Sequence, residues 1–194
     1  MYAPWAAALA EHLLAEALPD RWAHYSAVGA YARALAELAG EDADVLEAAA
    51  YLHDVGYAPS ARETGFHPLD GARYLRDRTE APPLLQVLVA NHTGALVEAR
   101  HRGLGGTIES EFPVGPTPQP NLLALITHCD LCVSPTGRRV SPEERIAEIL
   151  RRYSEDHPVH QAVRESSPLL LSQDRQVRSL LDGGDASHSR NRGQ

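Results

Sequence analysis

Residues 46–54 read Leu46-Glu47-Ala48-Ala49-Ala50-Tyr51-Leu52-His53-Asp54, and at helical spacing Leu46, Ala49, Leu52 and His53 share one face. An apolar stripe that ends in an imidazole, with a carboxylate beside it, carries chemistry into the core. The arrangement recurs outward from this segment. Upstream, His24, Ala27, Val28, Tyr31 and Leu35 form a stripe; downstream, His67 opens a face continued by Gly71, Tyr74 and Leu75. Leu85, Leu88 and Val89 lead to His92, and Leu122, Leu123 and Ile126 lead to Asp130. A buried, unpaired carboxylate is very costly, and helical bundles place metal ligands on facing helices in this way. His24, His53, Asp54, His67, His92 and Asp130 are therefore candidate metal ligands.

No stretch alternates with period two, so the expected class is all-α. Helices are expected near 5–18, 20–39, 43–55, 67–78, 82–92, 120–133, 142–153, 157–166 and 168–181. Ser141, Pro142 and Glu144 form a capping signature that fixes one start. The glycines and prolines of 103–120 predict a long loop, and 182–194 is expected to be a disordered tail. The expected organisation is one helical domain over 1–181, with its core in 20–152 and C-terminal helices in 153–181.

The chain has 194 residues, 43% hydrophobic, with 18 basic and 26 acidic side chains and a net charge of −8. That length buries a sizeable core without staples, so a metal here would be functional rather than structural. The acidic balance argues against long nucleic acids. Every basic side chain is Arg, which excludes a P-loop lysine or a Schiff base. No apolar run approaches a membrane span, and Met1 to Ala10 lack a signal peptide's basic start; a cytoplasmic location is the expectation, and a homodimer is allowed.

The segments His53-Asp54-Val55-Gly56, His67-Pro68-Leu69-Asp70-Gly71-Ala72 and Asn91-His92-Thr93-Gly94, with His24 before them and Asp130 after, resemble the HD-domain superfamily of metal-dependent phosphohydrolases. They look most like the two-metal bacterial enzymes that split diadenosine tetraphosphate. The resemblance implies a single HD-type bundle with one metal on His24, His53, Asp54 and Asp130. A second metal would take His67 and His92, with Asp54 bridging. It makes His53 and Asp54 the catalytic pair. Mixed imidazole and carboxylate ligands suit one or two divalent ions, iron or manganese before cobalt or nickel.

A divalent metal lowers the pKa of water towards ~7 and neutralises phosphoryl oxygens, so hydrolysis of a small phosphorylated substrate, a nucleotide or dinucleoside polyphosphate, is the expected reaction. Many HD hydrolases carry a lysine three residues after the His-Asp pair, where this chain has Tyr57. Arg must substitute, and Arg21, Arg62, Arg138 and Arg139 are the candidates. Two other readings stay open: a diiron oxygenase using the same cage, and a non-catalytic nucleotide-sensing module.

Other signals read as structural. Cys129 and Cys132 fall late in a helix, where a pair of thiols packs rather than reacts. His128 lies about 200° round the helix from Asp130 and points elsewhere. His157 and His160 share a face but have no third ligand. Asp70 either orients His67 or serves the first turn of its helix.

Overall fold

The computed structural model describes residues 1–115 and 122–190, and among these it forms an all-α bundle with no strand. At its centre is α4 (Ala43–Leu52), packed by α1 (Ala3–Leu14), α2 (Pro19–Ala34), α6 (Pro83–Asn91) and α9 (Leu122–Leu131). Ala48, Ala49 and Ala50 are all fully buried, and their small side chains let four helices close on one. Proline at the first turn starts α2, α6 and α10 (Pro142–Arg152), where its missing N–H costs nothing. The capping box at Ser141 forms as expected, each partner accepting from the other's backbone N–H.

Several helix limits differ from expectation. The expected 20–39 helix breaks at Leu35, leaving a short α3 (Ala36–Ala39) that ends at Gly40, with φ +56°. The helices expected to carry His53 and His92 stop just before those residues, at Leu52, three positions before the expected 55, and at Asn91, one before the expected 92. In both cases the histidine ring caps the helix. His53 Nδ1 donates to the carbonyl of Ala50 at 2.8 Å, and His92 Nδ1 to that of Val89 at 2.7 Å, each satisfying a last-turn acceptor. These two ligands thus sit at helix ends rather than on helix faces.

The loop expected over 103–120 is corrected in its first half. After α5 (His67–Arg78) and α6, two helices follow, α7 (Ala95–His101) and α8 (Gly105–Glu111). Ile108 is buried, and Glu111 pairs with Arg73 and Arg76 of α5, which outweighs the glycines' preference for a loop. Residues 116–120 of that loop lie outside the described residues.

The two expected C-terminal helices are one, α11 (Pro158–Arg190), running through Pro168 and past the expected end at 181; residues 191–194 lie outside the described residues. Ala162, Ser166, Leu170, Asp174 and Val177 are buried at helical spacing, so the packed stripe crosses the proline without changing phase. Ser166 and Ser167 also donate to the carbonyls of Ala162 and Val163 one turn back. Packing against α7, α9 and α10 carries the helix through a residue that breaks free ones.

A polar chain ties three helices inside this core. His128 on α9 lies 2.7 Å from Asp174 of α11 through Nδ1, and 2.7 Å from the Tyr31 hydroxyl of α2 through Nε2. Arg139 stacks on Tyr31, 3.3 Å from the ring centre.

Candidate metal centre

Six side chains converge from separate parts of the chain. His24 Nε2 lies 3.1 Å from Asp130 Oδ1, and His53 Nε2 lies 3.8 Å from that oxygen and 3.7 Å from Asp54 Oδ2. Asp54 Oδ1 faces the other way, 2.9 Å from His67 Nε2 and 3.6 Å from His92 Nε2. The result is two ligand groups, His24–His53–Asp130 and Asp54–His67–His92, joined by the two oxygens of Asp54. All six expected ligands are brought together.

The backbone decides how the rings present themselves. His24 Nδ1 donates to the Ser134 carbonyl at 3.1 Å, as His53 and His92 donate to Ala50 and Val89. A carbonyl only accepts, so each Nδ1 carries a proton and Nε2 is the nitrogen that each ring turns to the centre. Burial pushes His53 down to about 4 against the pull of Asp54 and Asp130, so its ring is neutral near pH 7. Burial also works against the charge of Asp54 and Asp130, but the facing imidazoles outweigh it and hold both below the usual carboxylate range.

This donor set fits a divalent cation. His53 Nε2 is buried with no hydrogen-bond partner, and four imidazole nitrogens converge on two ionised, largely buried carboxylates. A cation would fill the vacancy in the hydrogen bonding and offset the burial of both charges. The groups are compatible with one or two such ions.

The HD domain profile matches residues 21–134, more than half the chain and all six ligands. The chain belongs to the HD-domain family. Compared with curated proteins and with solved structures, it matches none. The HD match ends before α10 and α11, which close one side of the cavity over the centre.

That cavity is about 680 Å³ counted to its open mouth, with Asp54, His67, His92 and Asp130 in its lining. Arg21 lines it as expected, 3.4 Å from Asp54 Oδ2. Its guanidinium lies 3.5 Å from the centre of the Tyr57 ring, and that ring stacks on His67 at 4.2 Å. Tyr57, standing where the lysine was expected, is therefore a spacer between a cation and a ligand. Arg62 is exposed and lines a small neighbouring cavity with Tyr57 and His67. Arg138 and Arg139 do not line the cavity: Arg138 is exposed on the turn after α9, and Arg139 is turned onto Tyr31. The cavity's other cations are Arg145 and Arg152 of α10, which the sequence reading missed although they share a helix face.

Thr93 was also missed. It has φ +43°, the one positive value at a non-glycine position among the described residues, and its hydroxyl donates to Asp130 Oδ2 at 2.7 Å. A β-branched residue in that conformation is strained, and such strain gathers at functional sites. It leaves Oδ1 of Asp130 to face His24 and His53. Thr93→Val keeps the shape and removes the bond, so metal affinity should fall about 10–100-fold. Competition with a chelator measures this, and an unchanged affinity would remove Thr93 from the centre.

A third group, His128, Cys132 and Asp174, is buried, but its 2.7 Å His–Asp contact is a hydrogen bond and Tyr31 takes the other ring nitrogen. Burial pushes the Cys132 thiol up to about 11 and raises Cys129 further, consistent with packing. His160 Nδ1 contacts the carbonyls of Leu150 and Tyr153, at the end of α10. Asp70 accepts from Thr64 and Gly65, which pins the turn before α5 rather than orienting His67.

Proposed function

We propose that the protein is a metal-dependent phosphohydrolase acting on a small phosphorylated metabolite, a nucleotide or dinucleoside polyphosphate. The observation that carries this is the convergence of six ligands at an open cavity whose walls bear guanidinium groups. Iron or manganese suits the mixed imidazole and carboxylate set. When bound, such an ion supplies a Lewis acid that lowers the pKa of water and neutralises developing charge on phosphoryl oxygens.

The chain's own residues supply the rest. His24, His53, His67 and His92 turn Nε2 to the centre, three of them with Nδ1 locked by a backbone acceptor, so the ligand positions are set before substrate arrives. Asp54 spans both ligand groups. Arg21 stands beside it and can attract a phosphate oxygen to the centre. Ile149, Val159 and Val163 give the cavity an apolar side on which the organic part can rest.

The test is a hydrolysis screen over nucleotides and dinucleoside polyphosphates, read both as inorganic phosphate and as nucleotide products separated by chromatography, with protein loaded with Mn²⁺ or Fe²⁺. Metal-dependent hydrolysis of at least one is expected. Oxygen uptake without hydrolysis would replace this reading with an oxygenase, and binding without turnover would replace it with a sensing module.

A further inference from the structure

The α10 wall carries charge that the metal centre does not consume. Arg145 and Arg152 are two turns apart, about 10 Å along the axis, with Ile149 between them on the same face. The helix cannot roll away from this setting. Its start is fixed by the capping box, and Ile146 and Leu150 on the adjoining face pack with Leu131, Leu170, Val163 and Leu171. All three residues of the outer face line the cavity above the centre. A second cavity is lined by both arginines together with Arg21, His24 and Asp54.

The charges on this wall do not balance. Arg145 and Arg152 both bond to one carboxylate, Glu148, so two cations share one anion. Among the other acids lining these cavities, Glu98 is engaged by Arg102 at 2.7 Å, and Asp54 and Asp130 belong to the centre. Asp20 lies in the first turn of α2, at the helix's positive end. Arg145 is nearly enclosed, its side chain 12% exposed, and its charge helps to keep Asp130 ionised. A guanidinium held this close to a metal centre and only half compensated is placed for an anion. A phosphate group, with more charge and more acceptor oxygens than one carboxylate, can bridge both forks where Glu148 now does.

We infer that Arg145 and Arg152, with Arg21 on the same cavity, form a second anion subsite for a phosphate linked to the one at the metal centre. The substrate class is then a phosphoanhydride with at least two neighbouring phosphates, not a lone monoester. Both arginines lie outside the HD match, so this subsite belongs to the chain's own C-terminal helices. The inference rests on the hydrolase reading for the first phosphate, and its test requires no turnover.

Methylphosphonate and methylenediphosphonate, neither of them hydrolysable, are titrated calorimetrically into Mn²⁺-loaded protein free of excess metal. The diphosphonate should bind at least about tenfold tighter, and Arg145→Gln and Arg152→Gln should each cut that preference to about threefold or less. Arg152 is 41% exposed, so its variant keeps the test valid if the more buried Arg145→Gln fails to fold. Equal binding of the two probes by the parent protein, or an undiminished preference in Arg152→Gln, would overturn the inference. Diphosphonate preference that falls in Arg152→Gln, in a protein that cleaves no anhydride, would uphold the subsite and remove the hydrolase reading instead.

Discussion

Asp54→Asn should lower phosphate release by about a thousandfold and leave the purified protein short of metal, while its helical circular dichroism stays near that of the parent. Asp54 turns Oδ1 to His67 and His92 and Oδ2 to His53 and Arg21. An amide has one oxygen and no charge. Whichever way it is turned, an NH₂ group faces either one ligand group or the other, and a donor cannot ligate a cation. The loss of several kcal/mol of charge stabilisation corresponds to about three powers of ten in rate. Elemental analysis and a phosphate assay on the same preparation check it. A variant with parental metal content and parental rate would sink the shared-carboxylate arrangement and, with it, the proposed mechanism.

Gly56→Ala should be the most destabilising conservative change near the site. A Cβ at Gly56 would lie 2.0 Å from the His67 carbonyl oxygen and 2.6 Å from the Gly71 nitrogen. Both are backbone atoms, so no rotamer change relieves the clash, and the start of α5 must move. We expect a loss of about 3 kcal/mol, seen as a fall in Tm of about 10 °C. Because His67 moves with that backbone, metal held by Asp54, His67 and His92 should be lost before metal held by His24, His53 and Asp130. Thermal unfolding and metal counting read the two effects separately. Melting within a degree of the parent would show that α5 does not need this close approach.

Much of the fold and of the site was legible in the sequence, because stripes such as Leu46, Ala49, Leu52 and His53 record which face is buried. The same logic, with Asp54 taken from its place beside His53, named the six side chains that converge at the centre. It failed where local composition and tertiary packing disagree. Pro168 signals a helix end, yet the stripe from Ala162 to Val177 runs through it. Gly105 and Gly106 signal a loop, yet Ile108 and Glu111 are anchored from outside the segment. Arg138 and Arg139, two of the candidate arginines, follow Asp130 closely along the chain. The turn after α9 carries them away, and α10 returns with Arg145 and Arg152 over the cavity. Nearness along the chain is no guide there because the return path depends on how Ile146 and Leu150 pack, which no spacing rule contains.

The double duty of His53 and His92 at their helix ends has a kinetic consequence. Each ring is clamped by the turn that precedes it, so its tautomer and its aim are settled when the helix folds. An arriving cation meets a finished socket at these two positions: neither imidazole has to swing round, and no proton has to migrate between ring nitrogens. Loading at this pair should then be paced by diffusion and by the shedding of the ion's own waters.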